Sequence, residues 1–205
     1  MPGLLRVGVL ASGGGTNLQA LLEGVHEREA RIVAVATDQP DALALERARI
    51  AAVPAATFPR GAYPHRVARD AAIGDWLEAQ GVELVVLAGY MAILDGAFIA
   101  RFRDRIINVH PSLLPAFPGL DAIGQALRAG AKSTGVTVHF VDEGVDTGPA
   151  LVQREVPIPA SRDRAELEAA VHAVEHELYP EAIRMIARGR VRIDAADQRV
   201  VIVDE

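Results

Sequence analysis

Five short apolar runs rich in Val and Ile recur along the chain: Val7 to Ala11, Ile32 to Ala36, Leu84 to Ala88, Ile106 to Val109 and Val136 to Val141. Successive side chains of a strand point to opposite faces, so a run apolar at every position must be covered on both. Between the runs, Thr16 to Glu27, Asp41 to Ala52 and His65 to Gln80 carry apolar residues at helical spacing and charges elsewhere. This alternation predicts an α/β fold, a mostly parallel twisted sheet with helices on both faces, of the Rossmann-like kind. Ligands of such sheets sit beyond the carboxyl ends of the strands. Further on, Leu167, Val171, Val174 and Leu178 mark one face of a long helix expected to kink or restart at Pro180. Val191 to Ile193 and Val200 to Val203 flank the polar stretch Asp194 to Arg199 and predict a small carboxyl-terminal strand pair. No repeat, low-complexity tract or linker interrupts the pattern, so a single domain is expected over residues 1–205.

Composition then narrows the chemistry. A chain of 205 residues can bury about 70% of its unfolded surface, enough for a full core. It has no Cys, which excludes disulfides, thiolate nucleophiles and thiolate zinc sites. Its one lysine, Lys132, lies outside any P-loop context. The net charge of -6, with arginines scattered along the chain, argues against nucleic-acid or anionic-membrane partners. The first apolar run is too short for a signal segment or a membrane span, and a cytoplasmic protein is expected.

Ser12-Gly13-Gly14-Gly15-Thr16-Asn17 joins the first strand to the first helix. Unpaired N–H groups, a helix dipole and glycines that admit close approach make this a candidate phosphate cradle. An ordinary turn with Thr16 or Asn17 as N-cap would read the same way. A dinucleotide fingerprint is a third reading, with Gly13 and Gly15 in place, Leu18 where the third glycine belongs, and Asp38 as the ribose-binding acid.

Period two places Asn108 and His110 on one side of the fourth run, at its carboxyl end, and Pro111, Pro115 and Pro118 stiffen the loop beyond. After the fifth run, Asp142-Glu143-Gly144-Val145-Asp146-Thr147-Gly148-Pro149 forms a shaped turn able to project Asp146 over the same sheet edge. Acidic turn residues are also commonly solvated or cap the next element.

Ser12 to Asn17, Leu87-Ala-Gly-Tyr-Met91, Asn108-Val-His-Pro-Ser-Leu-Leu-Pro115, Pro118-Gly119, Thr134 to Pro149 and Glu175-His-Glu-Leu-Tyr-Pro180 together closely resemble the phosphoribosylglycinamide formyltransferase family, in its order, from residue 7 to about 188. The block around Asn108, His110 and Asp146 resembles formyltetrahydrofolate-using enzymes generally. The glycine loop and the Glu175 motif point to the phosphoribosylglycinamide branch. The resemblance implies a one-carbon group transferase that moves the formyl group of 10-formyltetrahydrofolate to the amine of phosphoribosylglycinamide in purine biosynthesis. It assigns catalysis to Asn108, His110 and Asp146, and the ribose phosphate to Gly13, Gly14, Gly15, Thr16 and Asn17, joined by Gly89. Glu175 would hold the glycinamide end. The folate would lie against Met91, Ala92, Ile93 and Leu94, Asn108, and Val141, Asp142, Gly144 and Asp146. In that chemistry Asn108 can donate to the developing oxyanion, a contribution of roughly 3 to 4 kcal/mol elsewhere. An Asp beside His favours imidazolium, so Asp146 would keep His110 able to donate near neutral pH. No metal is implied, the partners are small molecules, and the chain would be a monomer or homodimer.

Some positions depart from the family. Ala92 stands where members often carry a base and Asp121 where some carry His, leaving an arginine between Arg60 and Arg69 to meet the folate's carboxylates. His172-Ala-Val-Glu175-His176 spells a zinc-peptidase pattern, but a third ligand would be required and the formyltransferase motif accounts for the same residues. His139 shares a face with Thr137 and reads as a structural hydrogen-bonding residue near the site, and Tyr90 as packing. The nearest rival is a hydrolase using the same Asn, His and Asp with water as acceptor. Relatives of that kind carry an additional amino-terminal domain, and tRNA-formylating relatives a carboxyl-terminal one, so the length favours the transferase. A non-catalytic dinucleotide-binding module would leave Asn108, His110 and Asp146 idle.

Overall fold

The computed structural model describes residues 3–194, 197 and 201–204. Its elements in chain order are β1 (Leu5–Leu10), α1 (Thr16–Gly24), β2 (Ala30–Thr37), α2 (Leu43–Ile50), β3 (Ala55–Thr57), α3 (Arg66–Ala79), β4 (Leu84–Leu87), α4 (Gly96–Arg101), β5 (Ile106–His110), α5 (Ala122–Arg128), β6 (Ser133–Phe140), β7 (Ala150–Pro157), α6 (Arg164–Ala187), β8 (Val191–Ile193) and β9 (Val201–Val203). A 3-10 turn, Arg60–Ala62, precedes α3. Seven strands form one sheet in the order β3-β2-β1-β4-β5-β6-β7, and β8 and β9 pair separately. β1 runs parallel to β2 and β4, β2 parallel to β3, and β7 antiparallel to β6.

The chain divides into two compact units, Met1–Ile107 and Asn108–Glu205. In the first, Val7, Val9, Leu10 and Val33 to Ala36, with all of β4, are buried. Consecutive buried residues mean that both faces of these strands are covered, as continuous Val/Ile/Leu runs require. α1 ends early, because Gly24 weakens it and the Val25 N–H closes the last turn on the Leu21 carbonyl. In the second unit, α6 packs on β6 and β7 and against α5. Its inward face buries Leu167, Val171, Leu178, Ala182 and Ile183.

Three expectations change. The long helix does not restart at Pro180. It runs unbroken from Arg164 to Ala187 with Pro180 inside it, buried beside Tyr179, so tertiary packing outweighs the lost hydrogen bond. Neither Thr16 nor Asn17 caps α1. Gly15 occupies the N-cap in the left-handed region (φ 66°), and no side chain caps it. The antiparallel strand β7, the short β3 and the short helices α4 and α5 were not foreseen. β8 and β9 form the expected pair, although Val200 and most of the stretch between them lie outside the described residues.

Candidate functional site

In the first unit the chain leaves β1 through Ser12 into the glycine loop. Gly13 and Gly14 are exposed, and a Cβ at either would meet nothing. Gly15 differs. Its positive φ is compounded by the α2 backbone, where a Cβ would lie 2.9 Å from Ala44 Cα. The loop's carbonyls are tied to α2, with Ala44 N–H donating to Gly13 O (3.3 Å) and Arg47 Nε to Gly14 O (2.8 Å). Engaging the carbonyls on one side leaves the start of α1, with its positive dipole end, for an anion on the other.

Ser12 ties this loop to the segment after β4. Its N–H donates to Gly89 O (3.1 Å), and its hydroxyl accepts from Met91 N–H (2.9 Å) while donating to Asp38 Oδ1 (2.6 Å). Asp38 is buried, and Arg60 Nε donates to its other oxygen at 2.9 Å. Burial pushes the Asp38 carboxyl up, but the Ser12 and Arg60 bonds outweigh it and hold the carboxyl below its ordinary range. With both oxygens engaged, Asp38 is not the ribose ligand that the dinucleotide reading required.

A cleft of about 440 Å³ adjoins this network, lined among others by Arg60, Arg66, Arg69, Met91, Ala92 and Ile93. Arg69 is 4% exposed and donates through Nε (2.9 Å) and Nη2 (2.6 Å) to Asp70 Oδ1. Asp70 Oδ2 accepts from Asp95 N–H (2.8 Å), and Asp95 in turn caps α4. Thus the residues following Met91 to Leu94 are anchored on a buried ion pair. Met91 and Ile93 are exposed at 64% and 66% beside the cleft, and Leu94 is buried. Burial pushes the Tyr90 phenol well up, which keeps it protonated and consistent with packing.

The second unit holds the other group. At the end of β5, His110 is buried, and its Nε2 lies 2.9 Å from Phe117 O. Its Nδ1 lies 3.3 Å from Asp146 Oδ2, which also accepts from Gly119 N–H at 2.8 Å. Both ring nitrogens face oxygen acceptors, an arrangement satisfied in full only when each carries a proton. Asn108, two residues earlier, places Nδ2 3.2 Å from His139 Nε2, and that nitrogen is 3.6 Å from Asp146 Oδ1. Asn108, His110, His139 and Asp146 therefore converge. In the turn after β6, Asp142 Oδ1 accepts from Gly144 N–H (3.0 Å) and the Thr147 hydroxyl (2.6 Å), bending the chain so that Asp146 turns inward with φ 54°. Val141 is half-buried at the start of this turn, and Glu175 is buried on α6. On that helix the His172 and His176 rings stack at 6.4 Å. Asp121 is held by Arg128 and Arg164 on the surface.

Sequence reasoning missed the Phe117 carbonyl and Gly119 N–H, which are backbone groups, and the Arg69–Asp70–Asp95 anchor. Asp70 carried a signal, as an acid in the strongly periodic stretch from His65 to Gln80. Among the described residues no cluster of three or more His, Asp or Glu is arranged to hold a metal, and no helix is long and apolar enough to cross a membrane.

A mostly parallel sheet with an amide and an imidazole at one strand's end and a carboxylate in the turn after another defines a class: the chain belongs to the formyl transferase family, whose model matches residues 5–183. The phosphoribosylglycinamide formyltransferase of Bacillus subtilis is 41% identical over 180 residues, covering 87% of this chain and 92% of that protein. The trifunctional purine biosynthetic protein adenosine-3 of Drosophila melanogaster is 42% identical over 192 residues, and this chain, covered to 92%, spans only 14% of its length. The crystal structure of glycinamide ribonucleotide transformylase 1 from Symbiobacterium toebii superposes with a TM-score of 0.93 at 50% identity, covering 98% of this chain and 95% of that one.

Proposed function

We propose that this chain transfers the formyl group of 10-formyltetrahydrofolate to the amine of phosphoribosylglycinamide, releasing formylglycinamide ribonucleotide and tetrahydrofolate in purine biosynthesis. The observation that carries the chemistry is the Asp146 carboxylate 3.3 Å from His110 Nδ1, with Asn108 joined to the same cluster through His139. The amine nitrogen forms a bond to the formyl carbon, and the carbonyl electron pair moves to oxygen. Asn108 donates an N–H to that oxygen, and His110 supplies positive charge and a proton once one of its two present partners is exchanged. As the bond from the formyl carbon to the folate nitrogen breaks, Asp146 takes the amine's surplus proton, directly or through a water, toward the departing nitrogen.

The ribose phosphate lies on Gly13 to Asn17 with Gly89, and Glu175 holds the glycinamide end. The folate lies against Met91 to Leu94, Asn108, and Val141, Asp142, Gly144 and Asp146. Arg60 is committed to Asp38 and Arg69 to Asp70, which leaves Arg66, exposed and in no ion pair among the described residues, to meet the folate's carboxylates in place of a base at Ala92. The two units act as one formyltransferase domain, a reading supported by a family match that runs across their boundary. The enzyme works in the cytoplasm as a monomer or homodimer on small molecules alone, without metal, nucleic acid or membrane.

The test mixes the protein with 10-formyltetrahydrofolate, with and without phosphoribosylglycinamide, and follows the folate product by absorbance. Release that depends on the amine is expected. Equal release without it would replace the transferase with a hydrolase.

A further inference from the structure

The mechanism above gives His139 no step of its own, yet it is 2% exposed and shares a hydrogen bond with Asn108. Its Nδ1 lies 2.8 Å from Phe140 O. A carbonyl oxygen only accepts, so Nδ1 carries the hydrogen. That carbonyl is fixed in place, because Phe140 N–H donates to Pro149 O (2.9 Å) and the Gly148 backbone lies so close to Phe140 O that any Cβ there would collide with it. Four charged or titratable features face the ring: Asp146 and Asp142 from the turn after β6, His110 from β5, and the Phe140 carbonyl dipole. Burial outweighs the two acids and holds His139 below its ordinary range, hence neutral near pH 7. Nε2 is then a bare lone pair.

The two ends of an Asn amide have nearly the same shape, and only their partners decide which way the group points. A lone pair at 3.2 Å accepts from the NH₂ end and repels the oxygen end. We propose that His139 is a positioning residue that sets the orientation of the Asn108 amide, so that its second N–H is presented to the reacting oxygen. This rests on the formyl-transfer reading for its kinetic consequence but not for its geometry. Neutrality also keeps His139 from competing for Asp146, whose Oδ1 lies 3.6 Å from Nε2. A proton on Nε2 would bond Asp146 and strip Asn108 of its acceptor.

Nitrogen-15 NMR of the intact protein at pH 7.5 reads the tautomer without any substrate. Nδ1 protonated and Nε2 bare is expected, and the opposite tautomer or a charged ring would overturn the proposal. In kinetics, His139→Phe keeps the ring's shape without the lone pair. It should lower kcat about tenfold and shift either KM less than about twofold. In an Asn108→Ala background the same change should cost nothing further, because it acts only through that amide. His139→Gln, which offers an acceptor, should recover part of the loss. An equal further loss in the Asn108→Ala background would overturn the proposal. If no formyl transfer is found at all, the proposed function fails while the NMR result still decides the role of His139.

Discussion

Replacing Asp70 with Ala probes the anchor beneath the cleft. The carboxylate is fully buried and takes three hydrogen bonds, two from Arg69 and one from the Asp95 N–H. Asp70→Ala leaves a guanidinium that is 4% exposed without its partner and orphans the amide that starts the α4 cap. Removing one side of a buried ion pair costs about 3 to 5 kcal/mol. The orphaned amide belongs to the same network, so its cost is contained in that range rather than added to it. In a chain of this size each kcal/mol moves the melting temperature by about 2 to 4 °C, which gives a fall of roughly 6 to 20 °C by calorimetry or circular dichroism. Burial pushes the Asp70 carboxyl up even with Arg69 against it, so desolvation is the larger influence on this acid. The double variant Asp70→Leu with Arg69→Met should therefore recover most of the loss, because it removes both charges and refills the space. A fall of less than about 3 °C for Asp70→Ala, or a double variant no more stable than the single, would refute the reasoning.

Asp146→Asn should depress kcat far more than it raises either KM, since the carboxylate's proposed work is proton movement; unchanged turnover in steady-state assays would contradict it. Gly15→Ala forces a Cβ into a left-handed position against Ala44, and should cost about 1 to 3 kcal/mol in denaturant melts and weaken phosphoribosylglycinamide binding by calorimetry. Arg66→Ala should raise the KM for the folate several-fold with little change in kcat, and an unchanged KM would remove Arg66 from the site. Asp38 is held below its ordinary range when folded, so its stabilising contribution is present above the unfolded value of about 3.9 and is lost as pH falls through the lower folded value. Acid melts of Asp38→Asn should lack that part of the decline, while the parent protein shows it.

The strands that could be read from the sequence are those buried on both faces, because a continuous apolar run has few other interpretations. β7 escaped because an antiparallel strand with one open face needs only alternate burial: Val152, Arg154 and Val156 are covered at least in part while Gln153 and Glu155 are exposed, so polar residues break up the apolar run. α4 and α5, with 6 and 7 residues, are too short to display a helical period. Pro180 misled in the other direction, since a local rule about a missing N–H yielded to burial beside Tyr179. Within the candidate site, the shared side of Asn108 and His110 could be read from period two, their place at a strand's carboxyl end and the prolines beyond. The partners that give them direction could not. Phe117 O and Gly119 N–H belong to every residue type, and the Arg69–Asp70 bond joins neighbours that a helix would ordinarily point apart.

The loop between β5 and α5 holds both His110 and Asp146 through main-chain atoms, with Phe117 O on His110 and Gly119 N–H on Asp146. With its two ring nitrogens turned toward the Phe117 carbonyl and the Asp146 carboxylate, the imidazole points neither of them at a stray water molecule. Discrimination between amine and water can thus reside in a resting state that is unreactive by default, so that an activated one-carbon donor waits without being spoiled. Formate release in the absence of the amine, followed over hours, should accordingly be slow, and rapid release would show that the loop offers no such protection.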